Sequence, residues 1–181
     1  MVTLLKWTVQ DYHHLIDQGL LAGKNVELLD GNIVTMPPES PLHSYTNRTS
    51  VDYLRRTLSN LALVIEAHPV TLIQSEPEPD ISIVVPPQER YREQHPQADD
   101  IFWLVEIANS TQAYDLNDKK KIYAQEGIPE YWVADLTNRQ LFVFREQKNG
   151  DYNLQKIYSE GIICSQAFPE IKISVQEMFR W

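Results

Sequence analysis

EPEPDISIVV at residues 76–85 and IFWLVEIANS at residues 101–110 each set one carboxylate, Asp80 in the first and Glu106 in the second, into an otherwise apolar stretch. From Ile101 to Ala108 every residue except Glu106 is apolar. A run of that length reads as a central strand covered on both faces, which predicts that Glu106 is buried. An isolated carboxylate there would cost several kcal/mol, so a positive partner is expected beside it, either a metal ion or a lysine. Pro79, with fixed φ and no N–H, suits the first position of a strand, and Ile81, Ile83 and Val85 alternate behind Asp80. If the two strands are sheet neighbours, both carboxylates converge at one sheet end, where oxygen ligands favour a hard cation such as magnesium or manganese. Each residue alone has an ordinary explanation: an Asp after Pro is often a turn residue, and a strand Glu can simply pair with Arg or Lys. Together they point to a site.

The chain of 181 residues fits one domain, residues 1–181, with enough length to bury a core. Its 43% hydrophobic and 23% charged content is that of a soluble globular protein, and its apolar stretches are far too short to span a bilayer. MVTLLKW at the start has only a brief apolar run and no small-residue cleavage site, so no secretory signal is expected. The one cysteine, Cys164, excludes an internal disulfide, fits a reducing cytoplasm and reads as a packing residue. No ligand cluster for zinc is evident. A net charge of −9 argues against a protein that coats nucleic acid by bulk electrostatics, although a local cluster such as Lys119, Lys120 and Lys121 can still meet a backbone.

Elsewhere the pattern is α/β, with a mixed sheet flanked by helices and preceded by a helix and a β-hairpin. Thr8 and Asp11 form a capping-box variant before Val9, Tyr12, Leu15 and Ile16, with Gly19 as terminator. VELLDGNIVTM (26–36) holds Asp30-Gly31, a strong type I′ hairpin signal, with Glu27 in the first arm. Ser40-Pro41 opens a longer helix whose apolar stripe is Val51, Leu54, Leu58 and Leu61. Strands are predicted near 69–74 and 80–85, and residues 86–100 as a polar surface loop of the kind that can cover a site. After the Glu106 strand come a helix near 112–126, three strands in EYWVADL, QLFVFRE and YNLQKIY, and a closing helical turn at 175–179. On the 112–126 helix Asp115, Lys119 and Tyr123 fall at i, i+4 and i+8. Lys119 shares a face with Ile122 and points partly inward, towards the preceding Glu106 strand, whereas Lys120 and Lys121 face solvent. The alternative for Lys119 is a surface pair with Asp115.

EPEPDISIVV together with LVEIANSTQAYDLNDKKKIYAQEGIPEYWVADL (104–136) resembles the Uma-two family of restriction-endonuclease-like proteins. WTVQDYHHL (7–15), VELLDGNIVTMPPES (26–40) and Pro41-Leu42-His43 are similar to that family's amino-terminal pattern, so the resemblance runs to about Leu136. It implies the fold of the PD…(D/E)xK nucleases, a central mixed sheet with flanking helices, and magnesium-dependent phosphodiester hydrolysis, with manganese able to substitute. Pro79-Asp80 matches the first element of that motif and Glu106 the second. Ala108 stands where the superfamily usually has lysine, and in the Uma-two pattern the lysine matches Lys119 on the following helix. Glu27 matches the family's amino-terminal acidic position.

These expectations assemble into metal-dependent hydrolysis of nucleic acid, expected to be DNA. Asp80, Glu106 and the carbonyl of Ile107 would hold the ion, Lys119 would act on water or on the developing phosphorane charge, and Glu27 would assist. His43, near a helix start, reads more simply as a cap or a partly buried polar residue. Two alternatives use the same fold: a non-catalytic or partner-dependent homodimer that binds nucleic acid or protein, and a phosphoesterase for small substrates, which a closed pocket would favour. The aromatics Tyr131, Trp132, Phe142 and Phe144 could stack on bases, but core or dimer-interface packing is the simpler expectation. A homodimer, cytoplasmic and with no membrane contact, is the expected assembly.

Overall fold

A computed structural model describes residues 3–109 and 111–181. Its centre is a six-stranded mixed sheet in the order β3-β4-β5-β6-β7-β8, comprising Leu63–Glu66, Ile81–Val84, Ile101–Ala108, Tyr131–Asp135, Gln140–Lys148 and Asp151–Tyr158. Neighbours run antiparallel except β5 and β6, which are parallel and joined by the helical segment 112–125. That crossover returns over one face of the sheet, as a parallel connection must.

The alternation along β5 decides which groups meet. Trp103, Val105 and Ile107 face a core shared with Val51, Leu54 and Leu58 of helix α2 (Pro41–Leu58) and with Met178 and Phe179 of α5 (Val175–Phe179). Leu104 and Ala108 face the other core, with Tyr123, Tyr131, Val133 and Phe144. Glu106, between Leu104 and Ala108 in register, shares their side. The near-continuous apolar run of β5 is what a strand covered twice requires.

Several local signals form as the sequence dictates. Helix α1 (Val9–Asp17) carries a full capping box between Thr8 and Asp11. Strands β1 (Val26–Leu29) and β2 (Asn32–Thr35) close through Asp30 and Gly31 at φ 46° and 68°, the two positive values of a type I′ turn. A Cβ on Gly31 would lie 2.8 Å from that of Lys6, so both dihedral and space demand glycine. Ser40 caps α2 with Pro41 in its first turn.

Three expectations are corrected. The strand placed at 69–74 is β3, Leu63–Glu66, instead. Pro69 has no N–H for a ladder, and Val70, Thr71 and Leu72 donate to the carbonyls of Pro77, Pro96 and Ser75. Helix α2 ends at Leu58 because Ser59 turns to φ 46°, so Leu61 lies beyond it, half exposed. The 86–100 loop covers no part of the carboxylate site; it is tethered by Arg90 to Asp100 and lies along a separate groove beside β3. The aromatic quartet belongs to the core: Tyr131, Trp132 and Phe144 are buried, Tyr131 stacks on Phe144 at 5.8 Å, and Phe142 packs against the same cluster. Two short strands, β9 (Ile162–Ile163) and β10 (Ile173–Ser174), pair antiparallel beside α5.

Candidate active site

Antiparallel pairing of β4 with β5 sets Ile81 opposite Val105, so Asp80, just before β4, lies at the sheet end where Glu106 stands. Asp80 is fixed from three directions. Its Oδ2 accepts the N–H of Ile107 at 2.6 Å, its side chain meets Nε2 of His43 at 3.1 Å, and its carbonyl accepts the N–H of Ala67. Ala67 holds φ 45°, uncommon for a residue with a side chain, and lines the same cleft.

The helical segment after β5 delivers the lysine. It runs as α3 (Gln112–Tyr114), a π-helical turn at Asp115–Lys119 and α4 (Lys120–Gln125). π-turns recur at functional sites because the wider turn re-aims side chains. Lys119, 2% exposed, directs Nζ to Glu106 Oε1 at 2.9 Å and to Glu27 Oε2 at 3.5 Å. One turn on, Tyr123 donates its hydroxyl to the same Glu106 oxygen at 2.7 Å. Asp115 is buried too and accepts from Thr111 at 2.6 Å. Lys120 instead reaches Asp151 near the surface, and Lys121 is exposed.

Glu27, Asp80, Glu106 and Lys119 thus line one cleft of about 140 Å³, with the backbone of Ile107 in its wall. Glu39, His43, Glu78, Asn109 and Asp115 line it as well. Burial pushes the Glu106 carboxyl well above its usual range; the lysine opposes this, while the charges of Asp80, Asp115 and Glu27 add to it. Glu27 and Asp115 are raised for the same leading reason, with Lys119 again the main opposing influence. Burial alone would lower the lysine, but the surrounding carboxylates outweigh it and hold the ammonium charged. One ammonium therefore stands in a cleft lined by six carboxyl side chains, and Glu27 Oε2 is buried without a hydrogen-bond partner. Such an excess of hard oxygen donors fits a divalent cation.

The pattern missed some of this set. Asp115, weighed only as a surface partner, lines the cleft, and Tyr123, whose i+4 spacing from Lys119 was its available signal, holds Glu106 from within the core. His43 does more than stand at a helix start. It lies between Asp80 and Glu39, 3.6 Å from the latter, and Glu39, His43 and Asp80 bring potential ligand atoms within 4.8 Å of one another. The i, i+4 spacing of Glu39 and His43 across the start of α2 was legible, but not its direction.

A restriction-endonuclease-like sheet with buried acids and a lysine at one end defines a class of proteins. The chain belongs to the Uma2 family, described as "Putative restriction endonuclease", whose pattern matches residues 9–176. Its fold is similar to a crystal structure from Anabaena variabilis described as "a putative nuclease belonging to DUF820", with a TM-score of 0.72. The two are 19% identical, over 92% of this chain and 97% of that one, a likeness that speaks for the fold. Among curated proteins nothing matches.

Proposed function

We propose that this chain is a divalent-cation-dependent nuclease, acting on DNA as a single domain. The observation that carries this reading is the burial of Lys119 against Glu106 and Glu27 in the cleft that also holds Asp80. Asp80, Glu106 and the carbonyl of Ile107 are the groups that would hold the ion, magnesium by preference of oxygen donors, with manganese able to replace it. The bound ion would polarise the scissile phosphate and make a water more acidic. Lys119 then serves as the fixed positive charge that orients the attacking water or steadies the pentacoordinate phosphorus. Tyr123 and Lys119 together hold Glu106 Oε1, so the carboxylate keeps one orientation. Glu27 supplies a further oxygen, its Oε2, to the same cleft.

A second reading has a specific observation in its favour. The reacting groups lie below the surface in a narrow cleft, and Lys119 is the one Lys or Arg among its lining residues, which suits a small phosphodiester better than a rod of duplex. The deciding assay sets wild type, with magnesium and then manganese, against single-stranded and duplex DNA, RNA and bis(p-nitrophenyl) phosphate. Cleavage of polynucleotide that Asp80→Asn abolishes supports the nuclease; cleavage of the small ester alone supports the second reading.

The expected homodimer finds no support in the aromatic strands, which are covered within the chain. Exposed apolar side chains occur instead at Leu4, Leu5, Ile16 and Leu20, and light scattering of the purified chain tests whether they meet a second copy. Among the described residues no helix is long and apolar enough to cross a membrane. A cytoplasmic location stays part of the proposal, and fractionation tests it.

A further inference from the structure

We propose that Glu39, His43 and Asp80 form a second divalent-cation site beside the Asp80–Glu106 position, one that favours manganese or another imidazole-binding transition ion over magnesium. The proposal rests on the nuclease reading only for the neighbouring position; the second site stands on its own geometry.

The three side chains come from two elements brought together by the sheet. Asp80 enters from the start of β4, while Glu39 and His43 stand four residues apart around the start of α2. Their candidate ligand atoms lie within 4.8 Å of one another, a spacing that small side-chain rotations would bring to a common ion. The ring of His43 is in an unusual position. Nε2 faces Asp80 at 3.1 Å, whereas Nδ1 faces Glu39 Oε2 at 3.6 Å, is buried and has no hydrogen-bond partner. The ring thus stands between two carboxylates, and a divalent cation held by all three side chains would take the place of the proton that otherwise links them. Asp80 links the two positions: both of its oxygens lie 3.1 Å from Nε2 of His43, and Oδ2 also accepts the N–H of Ile107.

Glu27 is the second, independent sign that the cleft is built for more positive charge than Lys119 provides. It is 4% exposed, lines the same cleft and has only the shared ammonium of Lys119, 3.5 Å away, beside its Oε2. The difference between the two positions is chemical. Asp80, Glu106 and a carbonyl offer only oxygen, which suits magnesium; a nitrogen ligand shifts preference towards later divalent ions.

The test is manganese binding to the full chain without nucleic acid, so that its outcome is independent of cleavage. Calorimetry and electron paramagnetic resonance should count two manganese ions on wild type. Pulsed measurements should show coupling to an imidazole ¹⁴N. His43→Ala should remove that coupling and one ion, with one manganese still bound at the Asp80–Glu106 position. Glu39→Gln, at a half-exposed position, tests the same site with little risk to folding and should weaken the second manganese at least ten-fold. One manganese on wild type, no ¹⁴N coupling, or binding by Glu39→Gln within two-fold of wild type each overturns the proposal. Loss of cleavage with both ions retained would count against the nuclease reading and leave this site standing.

Discussion

Two buried carboxylates in the same sheet have opposite surroundings. Glu130, just before β6, is fully covered and fully served: Oε1 accepts from Trp132 Nε1 and Arg145 Nε, each at 2.7 Å, and Oε2 from the N–H of Gln166 at 2.6 Å. Arg145 also donates to the carbonyl of Cys164, so the group ties the chain's last segment to the sheet. Glu106, on β5, shares one ammonium with Glu27 and Asp115. A buried acid with its own cation and complete hydrogen bonding is a structural fastening, and a cluster of acids short of positive charge is a place for a ligand.

The contrast is broken most sharply by removing each cation. Lys119→Met should lower phosphodiester cleavage by about two orders of magnitude or more, as expected for deleting one preorganised charge, while manganese still raises its melting temperature. Arg145→Met should instead destabilise by roughly 3–5 kcal/mol, because Glu130 is left buried and unpaired, and metal should not rescue it. Steady-state cleavage and melting curves of both variants, at a temperature where both are folded, separate the two roles.

Wild type should gain about 2.7 kcal/mol of stability for each bound ion at a manganese concentration 100 times its dissociation constant, by mass action on the folded state. Asp80→Asn should lose most of that gain and Glu130→Gln none of it. Thermal melts with and without manganese give the comparison directly.

Acidity sharpens it further. Glu106, Glu27 and Asp115 all have carboxyls raised in the fold, chiefly by burial, so the folded chain binds more protons than the unfolded one across that range. Their contribution to stability is present below the ordinary carboxylate value, 4.5 for Glu, and is lost as pH rises through the raised values. The metal-free melting temperature should therefore fall as pH climbs from about 4.5 towards neutrality, and manganese, which competes with protons, should flatten that slope. A chelator-treated pH series checks the sign.

The smallest effect belongs to the neighbouring lysine. Lys120 reaches Asp151 at 3.1 Å and lies 5.4 Å from the ring of Phe144. Lys120→Ala should cost under about 1 kcal/mol and leave cleavage unchanged, as a partly exposed pair would. A large loss of activity there would mean that the roles within the lysine run are misassigned.

Much of this arrangement was legible because its signals are local. The apolar run of β5 marks a doubly covered strand, Asp30-Gly31 marks the hairpin, and the i, i+4, i+8 series marks the inward face of the helix after β5. What escaped depends on distant segments meeting. His43 and Asp80 are 37 residues apart, and only the pairing of β4 with β5 under α2 brings them to 3.1 Å. The misplaced strand at 69–74 has an apolar pattern close to that of Leu63–Glu66, and the hydrogen bonds that reject it run to Pro77 and Pro96. Asp115 looked like a surface residue because the π-turn that buries it has no clear sequence signature.

The central claim is that the acids around Lys119 hold a divalent cation, and a crystal soaked in manganese tests it most directly through anomalous scattering at the manganese edge. A peak is expected within coordination distance of both Asp80 and Glu106, with none at Glu130. No peak between Asp80 and Glu106 at saturating manganese, with Lys119 still the sole positive partner of Glu106, would contradict it.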